Sequence, residues 1–389
     1  MSAEVISLGC RLNLAESAEL RGMLAHETDL VVINSCAVTS EAVRQTRQAI
    51  RRARREHPAA RLLVTGCAAE IDRGTLAAMP EVDGLVSNKA KLDPRAWNVA
   101  AITTDVRQHT RAFVAVQNGC DHACTFCVIP QGRGSSRSTP LPAVIAEVER
   151  HLEHGAREIV LTGVDLTSWG HDLSDSLRLG QLVEALLRAF PAMPRLRLSS
   201  VDGIEIDPVL LSLIVSDRRL MPHLHLSVQH SDDLILKRMK RRHNRAQIEQ
   251  LVTALRARRP DIAIGADLIA GFPTETEAAH QANLAIIETL GVVHGHIFPY
   301  SPRPGTPAAR MPQVPPAIIK ARAAELRTAV ARVRATWLTS LLGTPLEVLA
   351  ERDGTGHAPN FARVQVPPGS KAGTMVTVTP TRIVEGTLV

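Results

Sequence analysis

The stretch QNGCDHACTFCVIPQGRG, residues 117–134, contains three of the six cysteines of this 389-residue chain. Cys120, Cys124 and Cys127 are spaced C-x3-C-x2-C and follow an apolar run at 113–117 that predicts a strand. Three thiolates this close together can wrap one metal centre and leave one coordination position open. In a 4Fe–4S cluster the open position exposes one iron, which the amino and carboxylate groups of S-adenosylmethionine can chelate. The motif therefore predicts reductive cleavage of S-adenosylmethionine to a 5′-deoxyadenosyl radical.

A structural zinc site is the alternative interpretation, with His122 or a distant residue as the fourth ligand. Zinc sites usually combine a C-x2-C pair with a second close pair, and the sequence has no further close cysteine pair. His122 lies inside the short loop, and we expect it to reach the same ion only with difficulty. The radical cluster is therefore favoured over zinc.

Downstream of the motif, predicted strands alternate with helical stretches. Candidate strands lie at 113–117, 158–162, 195–199, 223–228, 262–269 and 293–299, and helical patterns include 141–154, 179–189, 246–258, 275–290 and 316–342. Alternation of this kind indicates an α/β domain with a parallel sheet. Six units predict a partial (β/α)6 barrel, because eight would be needed to close it.

Upstream of the motif lies a smaller alternating series with a cysteine after each strand. Short runs rich in Val, Ile and Leu predict strands at 4–8, 30–33 and 62–65, and residues 40–56 predict a helix. Cys10, Cys36 and Cys67 follow these strands in turn. Because the carboxyl ends of parallel strands share one edge, the three thiols could converge there and hold a second cluster. The alternative is three independent cysteines buried as small apolar residues.

The pattern changes after Gly343, where short strand-like runs at 346–351, 361–366 and 375–380 are separated by Gly, Pro and Asn. These runs predict a small antiparallel β-domain, which needs to dock on the rest of the chain to be stable. The predicted domains are therefore an N-terminal parallel α/β domain at residues 1–105, the partial barrel at 106–342 and the β-domain at 343–389.

Basic segments occur at residues 44–55, 237–242 and 320–334, and the formal net charge of the chain is +6. Charge runs are most often solvated helix faces. Three runs on separate elements, together with the appended β-domain, favour an RNA partner whose phosphates they would contact. Aromatic residues make up only 3% of the chain, so base stacking on a broad aromatic platform is not expected.

The start of the chain has no basic segment followed by an apolar run, and no stretch is long and apolar enough to span a bilayer. We therefore expect a cytoplasmic protein without a membrane partner. In that reducing compartment, cysteines are metal ligands or redox groups before they are disulfides.

The loops at the carboxyl ends of the barrel strands are where a barrel enzyme places its active site. The residues that we predict to contact S-adenosylmethionine are Thr162, Gly163, Asp165, Ser227, Gln229 and Gly271, with Phe126 covering the adenine. For individual residues a helix-capping role explains the residue type equally well.

Several motifs together resemble the methylthiotransferase family of radical S-adenosylmethionine enzymes. They are GCRLNLAES, INSCAVTSEAVRQTRQAIRR, VTGCAAE, GCDHACTFCVIPQGRGSSRS, EIVLTGVDLTSWG, LRLSSVDGIEID, LKRMKRRH, GADLIAGFPTETE and FPYSPRPGTPAARM, which span essentially the whole chain. The resemblance implies an N-terminal α/β domain, a partial radical barrel and an OB-like TRAM domain that binds RNA. It also implies two 4Fe–4S clusters, an auxiliary one on Cys10, Cys36 and Cys67 and a radical one on Cys120, Cys124 and Cys127.

The runs GCRLN, GRGSSRS and GVDLTS resemble the subgroup that modifies N6-threonylcarbamoyladenosine, just 3′ of the tRNA anticodon. By this resemblance, one S-adenosylmethionine yields the radical that takes hydrogen from carbon 2 of adenine. Sulfur from the auxiliary cluster is inserted there, and a second S-adenosylmethionine supplies the methyl group. The implied partners are tRNA at its anticodon region, an electron-donor protein such as flavodoxin or ferredoxin, and a sulfur donor. No side chain is assigned as a general acid or base.

Sister groups of the family act on isopentenyladenosine in tRNA or on an aspartate of a ribosomal protein, and they differ in the residues after the first Gly-Cys. Both substrates remain alternatives, as does a non-catalytic iron–sulfur protein that binds RNA. The chain departs from its relatives in two places. His230 stands where they usually have Ser followed by Gly, and the TRAM-like tail ends early, at Val389.

Overall fold

The first domain is built on a parallel sheet with the strand order β1-β2-β3-β4. The computed structural model describes residues 3–99 and 110–389, so the boundary predicted between residues 105 and 106 lies outside the described residues. The elements of this domain are β1 (Glu4–Ser7), α1 (Arg11–Met23), β2 (Leu30–Ser35), α2 (Ser40–Glu56), β3 (Arg61–Gly66), α3 (Cys67–Ile71), α4 (Arg73–Ala77) and β4 (Gly84–Leu85). The three predicted strands are confirmed to within two residues, and they pair in parallel.

Helix α2 has the predicted bounds because its sequence marks both its start and its buried side. Thr39 Oγ1 accepts a hydrogen bond from the Ala42 amide at 3.0 Å, which satisfies one free N–H of the first turn. Val43 and Ile50 are buried against the sheet. The arginines occupy the other faces, as the helical period predicts.

The second domain is a partial barrel that contains the cysteine motif. Its elements are β5 (Arg111–Ala115), β6 (Gln117–Asn118), α5 (Ile129–Arg133), β7 (Arg137–Ser138), α6 (Leu141–Glu153), β8 (Glu158–Thr162), α7 (Leu179–Ala189), β9 (Arg195–Leu198), β10 (Ser200–Val201), α8 (Pro208–Ser216), β11 (His223–Gln229), α9 (Asp233–Arg238), α10 (Arg245–Arg258), β12 (Ala263–Ala270), α11 (Glu277–Thr289), β13 (Val292–Pro299) and α12 (Pro316–Ser340). Within the described residues, no helix is both long and apolar enough to cross a membrane.

The third predicted barrel strand is divided, and this division lets the sheet curve. Strand β9 pairs in parallel with β8, and after Ser199 the short strand β10 pairs in parallel with β11 instead. The two sheets, β5-β8-β9 and β10-β11-β12-β13, therefore follow one another around an incomplete barrel. The six predicted strand regions are present, and Ser200 and Val201 extend the third beyond its predicted end at residue 199.

The barrel strands alternate between an apolar outer face and a polar inner face. In β11, Leu224, Leu226 and Val228 join the main core beneath the helices. His223, His225, Ser227 and Gln229 alternate with them and so face the barrel interior. A polar interior is unusual for a packed barrel and indicates a chamber that holds ligands.

Helix α8 was not predicted, because its sequence PVLLSLIVS is a short apolar run without helical periodicity. Runs of this length fit a buried strand as well as a buried helix. Its start is fixed by Asp207, whose carboxylate accepts a hydrogen bond from the Leu210 amide at 3.0 Å.

The C-terminal domain is a six-stranded sheet with the order β17-β14-β15-β16-β19-β18. Its strands are β14 (Leu346–Ala350), β15 (Thr355–His357), β16 (Arg363–Gln365), β17 (Met375–Val378), β18 (Ile383–Val384) and β19 (Thr387–Leu388). The prediction of a purely antiparallel sheet is wrong at one pair, since β16 and β19 are parallel. The hairpin of β18 and β19 turns the chain so that β19 lies beside β16 and runs in the same direction.

The C-terminal domain docks on the amino-terminal end of the barrel through Phe361. Its ring centroid lies 5.0 Å from that of His223 and 5.6 Å from that of His294, two residues of the inner face. Arg195, the first residue of β9, donates hydrogen bonds to the carbonyls of His357 and Glu347 at 2.9 and 2.7 Å. The small domain thus obtains the docking that its size requires, and it closes one end of the barrel.

Candidate active site

The cysteine motif forms an irregular loop at the carboxyl-terminal end of the barrel. Thr125, in the middle of the loop, donates through its amide to the Met239 carbonyl at 3.1 Å and through its hydroxyl to the Arg238 carbonyl at 2.8 Å. The Cys120 amide donates to the Gly134 carbonyl at 3.1 Å. These bonds fix the loop although it has no regular secondary structure, so the sulfurs have defined positions.

The sulfur of each motif cysteine accepts a hydrogen bond. The amides of His122 and Ile129 donate to the sulfurs of Cys120 and Cys127, each at 3.4 Å. Arg241 donates from Nη1 to the sulfur of Cys124 at 3.6 Å. Donors of this kind stabilise thiolates and tune iron–sulfur clusters.

Burial holds the thiols of Cys120 and Cys127 protonated unless a cation replaces the proton. Burial and the Asp165 carboxylate raise the pKa of Cys120 to about 12, and burial raises the pKa of Cys127 to about 11. Metal ions displace protons from such thiols directly. Buried thiols of this kind therefore suit a metal cluster, whereas thiols exposed on the surface would not.

All six cysteines lie in the described residues and form no disulfide, so each sulfur is available to a metal centre.

The ring of His122 approaches one of the three motif cysteines, Cys120. The Cys120 sulfur, a His122 ring nitrogen and an Asp165 oxygen all lie within 4.8 Å of one another. However, His122 Nε2 is 2.8 Å from the Asp165 carboxylate, and Asp165 and Glu205 raise the pKa of His122 to about 10. A protonated imidazole is not a metal ligand.

The other three cysteines lie at the carboxyl edge of the N-terminal sheet. Cys36 follows β2 directly, and Cys67 begins α3 directly after β3. Gly9, beside Cys10, has φ of +95° and passes so close that a Cβ there would lie 2.7 Å from the Cys36 sulfur. Burial raises the pKa of Cys36 to about 11, so this thiol also stays protonated unless a metal cation displaces its proton.

The two cysteine groups face each other across one domain contact. Helix α3, which begins at Cys67, packs on α5, which follows Cys127. A Cβ on Gly132 would lie 3.4 Å from the Cys67 Cβ, and Asn88 Nδ2 donates to the Gly132 carbonyl at 2.7 Å. Residues from both domains therefore form a single site.

A buried ion network holds this contact together. Glu16 of α1 binds Lys91 at 2.5 Å and Arg133 of α5 at 2.8 Å, and the three side chains are at most 2% exposed. Burial alone would raise the pKa of Glu16, but the two cations hold it below the ordinary value.

We expect Glu16→Gln to destabilise the protein by about 3–5 kcal/mol, since it leaves two buried cations without their anion. The midpoint of urea denaturation of the cluster-free protein measures this loss. Glu41→Gln is the matched control, because Glu41 pairs with Arg44 on the surface at side-chain exposures of 52% and 63%. Equal midpoints for the two variants would contradict the assigned role of the network.

The residues predicted to contact S-adenosylmethionine lie at the carboxyl ends of the strands, and some also have structural roles. Asp165 accepts a hydrogen bond from Ser168, and the carbonyl of Ser227 accepts one from Arg241. Gly163 packs against Gln117, and Gly271, with φ of +73°, packs against Ile319 of α12. Both glycines are thus explained by packing.

The remaining predicted contacts border the cysteine loop. Thr162 is buried at the end of β8. Phe126, within the cysteine loop, lies edge-on to Phe272 with the ring centroids 6.3 Å apart. Gln229 has φ of +66°, and the next residue, His230, is buried and accepts the Asp232 amide at 3.0 Å. The departure at His230 therefore has a local structural role. These contacts stay predictions.

In the basic segment 237–242, which we predict to contact RNA phosphates, two arginines also form bonds within the chain. Arg241 is buried and pairs with Asp202 at 2.6 Å, besides contacting Cys124. Arg238 donates to Thr274 Oγ1 at 2.6 Å. Asp267, which was not predicted as a site residue, bridges His225 and His296 on the inner face at 2.9 and 3.1 Å. The regular alternation of β11 and β13 was the signal that could have placed both histidines there.

Comparisons with known proteins agree with this architecture. The profile of the Radical SAM superfamily matches residues 114–283, and that of the uncharacterized protein family UPF0004 matches residues 2–87. The threonylcarbamoyladenosine tRNA methylthiotransferase MtaB of Rickettsia prowazekii is 41% identical over 93% of this chain and 91% of its own length. MtaB of Aquifex aeolicus is 33% identical over 96% of this chain and 98% of its own length.

A relative with another substrate in its name is also similar. The tRNA-2-methylthio-N(6)-dimethylallyladenosine synthase of Erythrobacter litoralis is 33% identical over 90% of this chain and 86% of its own length. Among solved structures, the radical S-adenosylmethionine methyltransferase TsrM of Kitasatospora setae, with cobalamin and a 4Fe–4S cluster bound, has a TM-score of 0.54 at 16% identity. The match covers 76% of this chain and 68% of TsrM, and it supports the fold alone.

Proposed function

Since this chain belongs to the methylthiotransferase family of radical S-adenosylmethionine enzymes, we propose that it modifies carbon 2 of N6-threonylcarbamoyladenosine beside the tRNA anticodon. The observation that carries the choice of substrate is the 41% identity to an MtaB over 93% of the chain. The relative named for dimethylallyladenosine is 33% identical.

The residues present fit the two clusters that this reaction needs. Cys120, Cys124 and Cys127 would hold the radical cluster, and the edge with Cys10, Cys36 and Cys67 would hold the auxiliary one. When bound, the clusters supply the electron that cleaves S-adenosylmethionine and the sulfur that enters the base.

The chain's own contribution is to position the groups and exclude water. Arg241 fixes Cys124 through its 3.6 Å hydrogen bond and is itself held by Asp202. The contact between α3 and α5 fixes the position of the two cysteine groups relative to each other, so that a base bound between them is within reach of both. Phe361 closes the far end of the barrel against solvent.

The tRNA would be bound outside this chamber by exposed basic residues. Arg44, Arg51 and Arg52 of α2 have side-chain exposures of 63, 56 and 72%, and their carboxylate partners are also partly or largely exposed. Such exposed pairs are weak enough to exchange for phosphates. We propose that the C-terminal domain adds to this surface. The enzyme would work with cytoplasmic tRNA, an electron donor such as flavodoxin or ferredoxin, and a sulfur donor.

Nucleoside mass spectrometry of total tRNA from a strain lacking the gene tests the proposal. We expect 2-methylthio-N6-threonylcarbamoyladenosine to disappear and to return with the wild-type protein but not with Cys124→Ala. Loss of the methylthio form of isopentenyladenosine instead would assign the other substrate. Unchanged tRNA would overturn the RNA substrate, and ribosomal proteins would then be searched for an added methylthio mass.

A further inference from the structure

Arg11 reaches from the N-terminal domain into the barrel. It is the first residue of α1 and follows Cys10, and α1 packs beside β5. Its guanidinium carbon lies 5.7 Å from the ring centroid of Phe361, the residue that closes the amino end of the barrel. Arg11 therefore connects the sheet edge that carries the auxiliary cysteines with the amino-terminal end of the barrel interior, at Phe361. We call this end the floor of the chamber.

Among the described residues, Arg11 is the arginine at the Phe361 ring for which no ion pair with a carboxylate is seen. Arg111 and Arg197 also lie over the Phe361 ring, at 5.4 and 4.8 Å. Each has a carboxylate partner: Glu351 lies 3.0 Å from Arg111, and Glu158 lies 2.9 Å from Arg197. Within residues 3–99 and 110–389, the contact recorded for the Arg11 guanidinium is the Phe361 ring, with no hydrogen bond or ion pair.

The surroundings of Arg11 favour a bound anion. Arg11, Arg111 and Arg197 bring three positive charges to one ring, and Glu351 and Glu158 pair with the other two, so the charge of Arg11 is poorly compensated. A carboxylate would supply that compensation, and it matches the guanidinium in a bidentate pair. No carboxylate of the described chain does so.

The adjacent wall offers polar groups on the same inner face. Asp267 Oδ1 is held by His225 Nε2 at 2.9 Å and His296 Nδ1 at 3.1 Å, and the two imidazole rings lie 4.4 Å apart. His296 is 60% exposed, so this wall is open to a ligand. The chamber thus combines an unpaired cation with donors and acceptors.

We propose that Arg11 binds the carboxylate of the N6-threonylcarbamoyl group and thereby selects this substrate over an adenosine with an apolar N6 substituent. The inference rests on the proposed function. The threonylcarbamoyl group carries a carboxylate, a hydroxyl and ureido N–H groups, for which Arg11 and the Asp267 wall provide partners. An isopentenyl group has no polar atom and would leave the guanidinium uncompensated.

Two synthetic anticodon stem-loops test this inference with the reconstituted holoenzyme. One carries N6-threonylcarbamoyladenosine, and the other carries the same group with its carboxylate converted to a primary carboxamide. We expect wild type to bind the acid about 10- to 100-fold more tightly in fluorescence anisotropy, the range of a charge-assisted hydrogen bond. The kcat/KM for the methylthio product should show the same preference.

Substitutions then assign the preference to Arg11. Arg11→Met should bring the acid-to-amide ratio close to one, and Arg11→Lys should retain part of it. Arg21→Met is the matched control on the same helix, because Arg21 donates to the Val5 carbonyl at 3.0 Å. It should keep the wild-type ratio. Iron content and S-adenosylmethionine cleavage show whether Arg11→Met still holds both clusters.

The outcomes separate the inference from the function on which it rests. Equal binding of acid and amide by wild type, or an unchanged ratio in a cluster-loaded Arg11→Met, would overturn the role of Arg11 alone. If wild type cleaves S-adenosylmethionine but modifies neither stem-loop, the proposed substrate falls and this inference falls with it.

Discussion

Replacing Cys124 with alanine is expected to reduce cleavage of S-adenosylmethionine to background. The Cys124 sulfur is the one that accepts a hydrogen bond from Arg241, and two thiolates cannot hold a cluster that the motif builds with three. The loss also removes one of the three contacts of the Arg241 guanidinium and leaves it with Asp202 and the Ser227 carbonyl. The measurement is 5′-deoxyadenosine formed by reconstituted enzyme under strong reduction.

The control for this variant is Thr125→Ser, in the same loop. Serine keeps the hydroxyl that donates to the Arg238 carbonyl, so cleavage should stay near the wild-type rate. Retained cleavage in Cys124→Ala would refute the assignment of the radical cluster. Colourless wild-type protein with one zinc per chain and no acid-labile sulfide would refute clusters altogether.

Cys36→Ala is expected to separate the two halves of the reaction. Cys36 lies at the edge of the N-terminal sheet, in a different domain from the loop that carries the motif, so 5′-deoxyadenosine should still form. Sulfur insertion should be lost, because one of the three thiols for the auxiliary cluster is missing. Iron should fall from about eight to about four per chain. Liquid chromatography of nucleosides from the modified stem-loop measures the product.

Val38→Ala provides the comparison, since Val38 is 43% exposed and two residues away. It should keep both the cleavage and the methylthio product. Full methylthio activity in Cys36→Ala would mean that the auxiliary cluster is misplaced. Loss of cleavage as well would mean that the two cysteine groups do not load independently.

The buried strands were predictable because their signal is local. Residues 158–162 and 179–189 have the predicted bounds, since apolar runs and helical periodicity suffice to define them. The two-residue strands Ile383–Val384 and Thr387–Leu388 are too short to have such a pattern. They exist because β16 offers them an edge, which is a property of the assembled domain.

The cysteines of the candidate site were predictable from spacing and strand position, but their neighbours were not. Arg241 lies in a run of six residues that reads as a solvated basic face, and only the fold turns it toward Cys124. Arg11 and Phe361 meet although 350 positions separate them in the sequence. Contacts between distant segments depend on domain docking, which no local pattern encodes.

The position of Phe361 affects how truncated forms of this enzyme should be interpreted. Removing residues 343–389 would take away the domain that we propose to bind RNA. It would also open one end of the barrel, because the ring packs against His223 and His294. Water would then enter the barrel interior, where the 5′-deoxyadenosyl radical has to persist until it reacts with the bound base. If a truncated enzyme cleaves S-adenosylmethionine but forms no product, entry of water into the barrel therefore explains the result as well as weak tRNA binding does. Phe361→Ala in the full-length chain isolates the first of these effects.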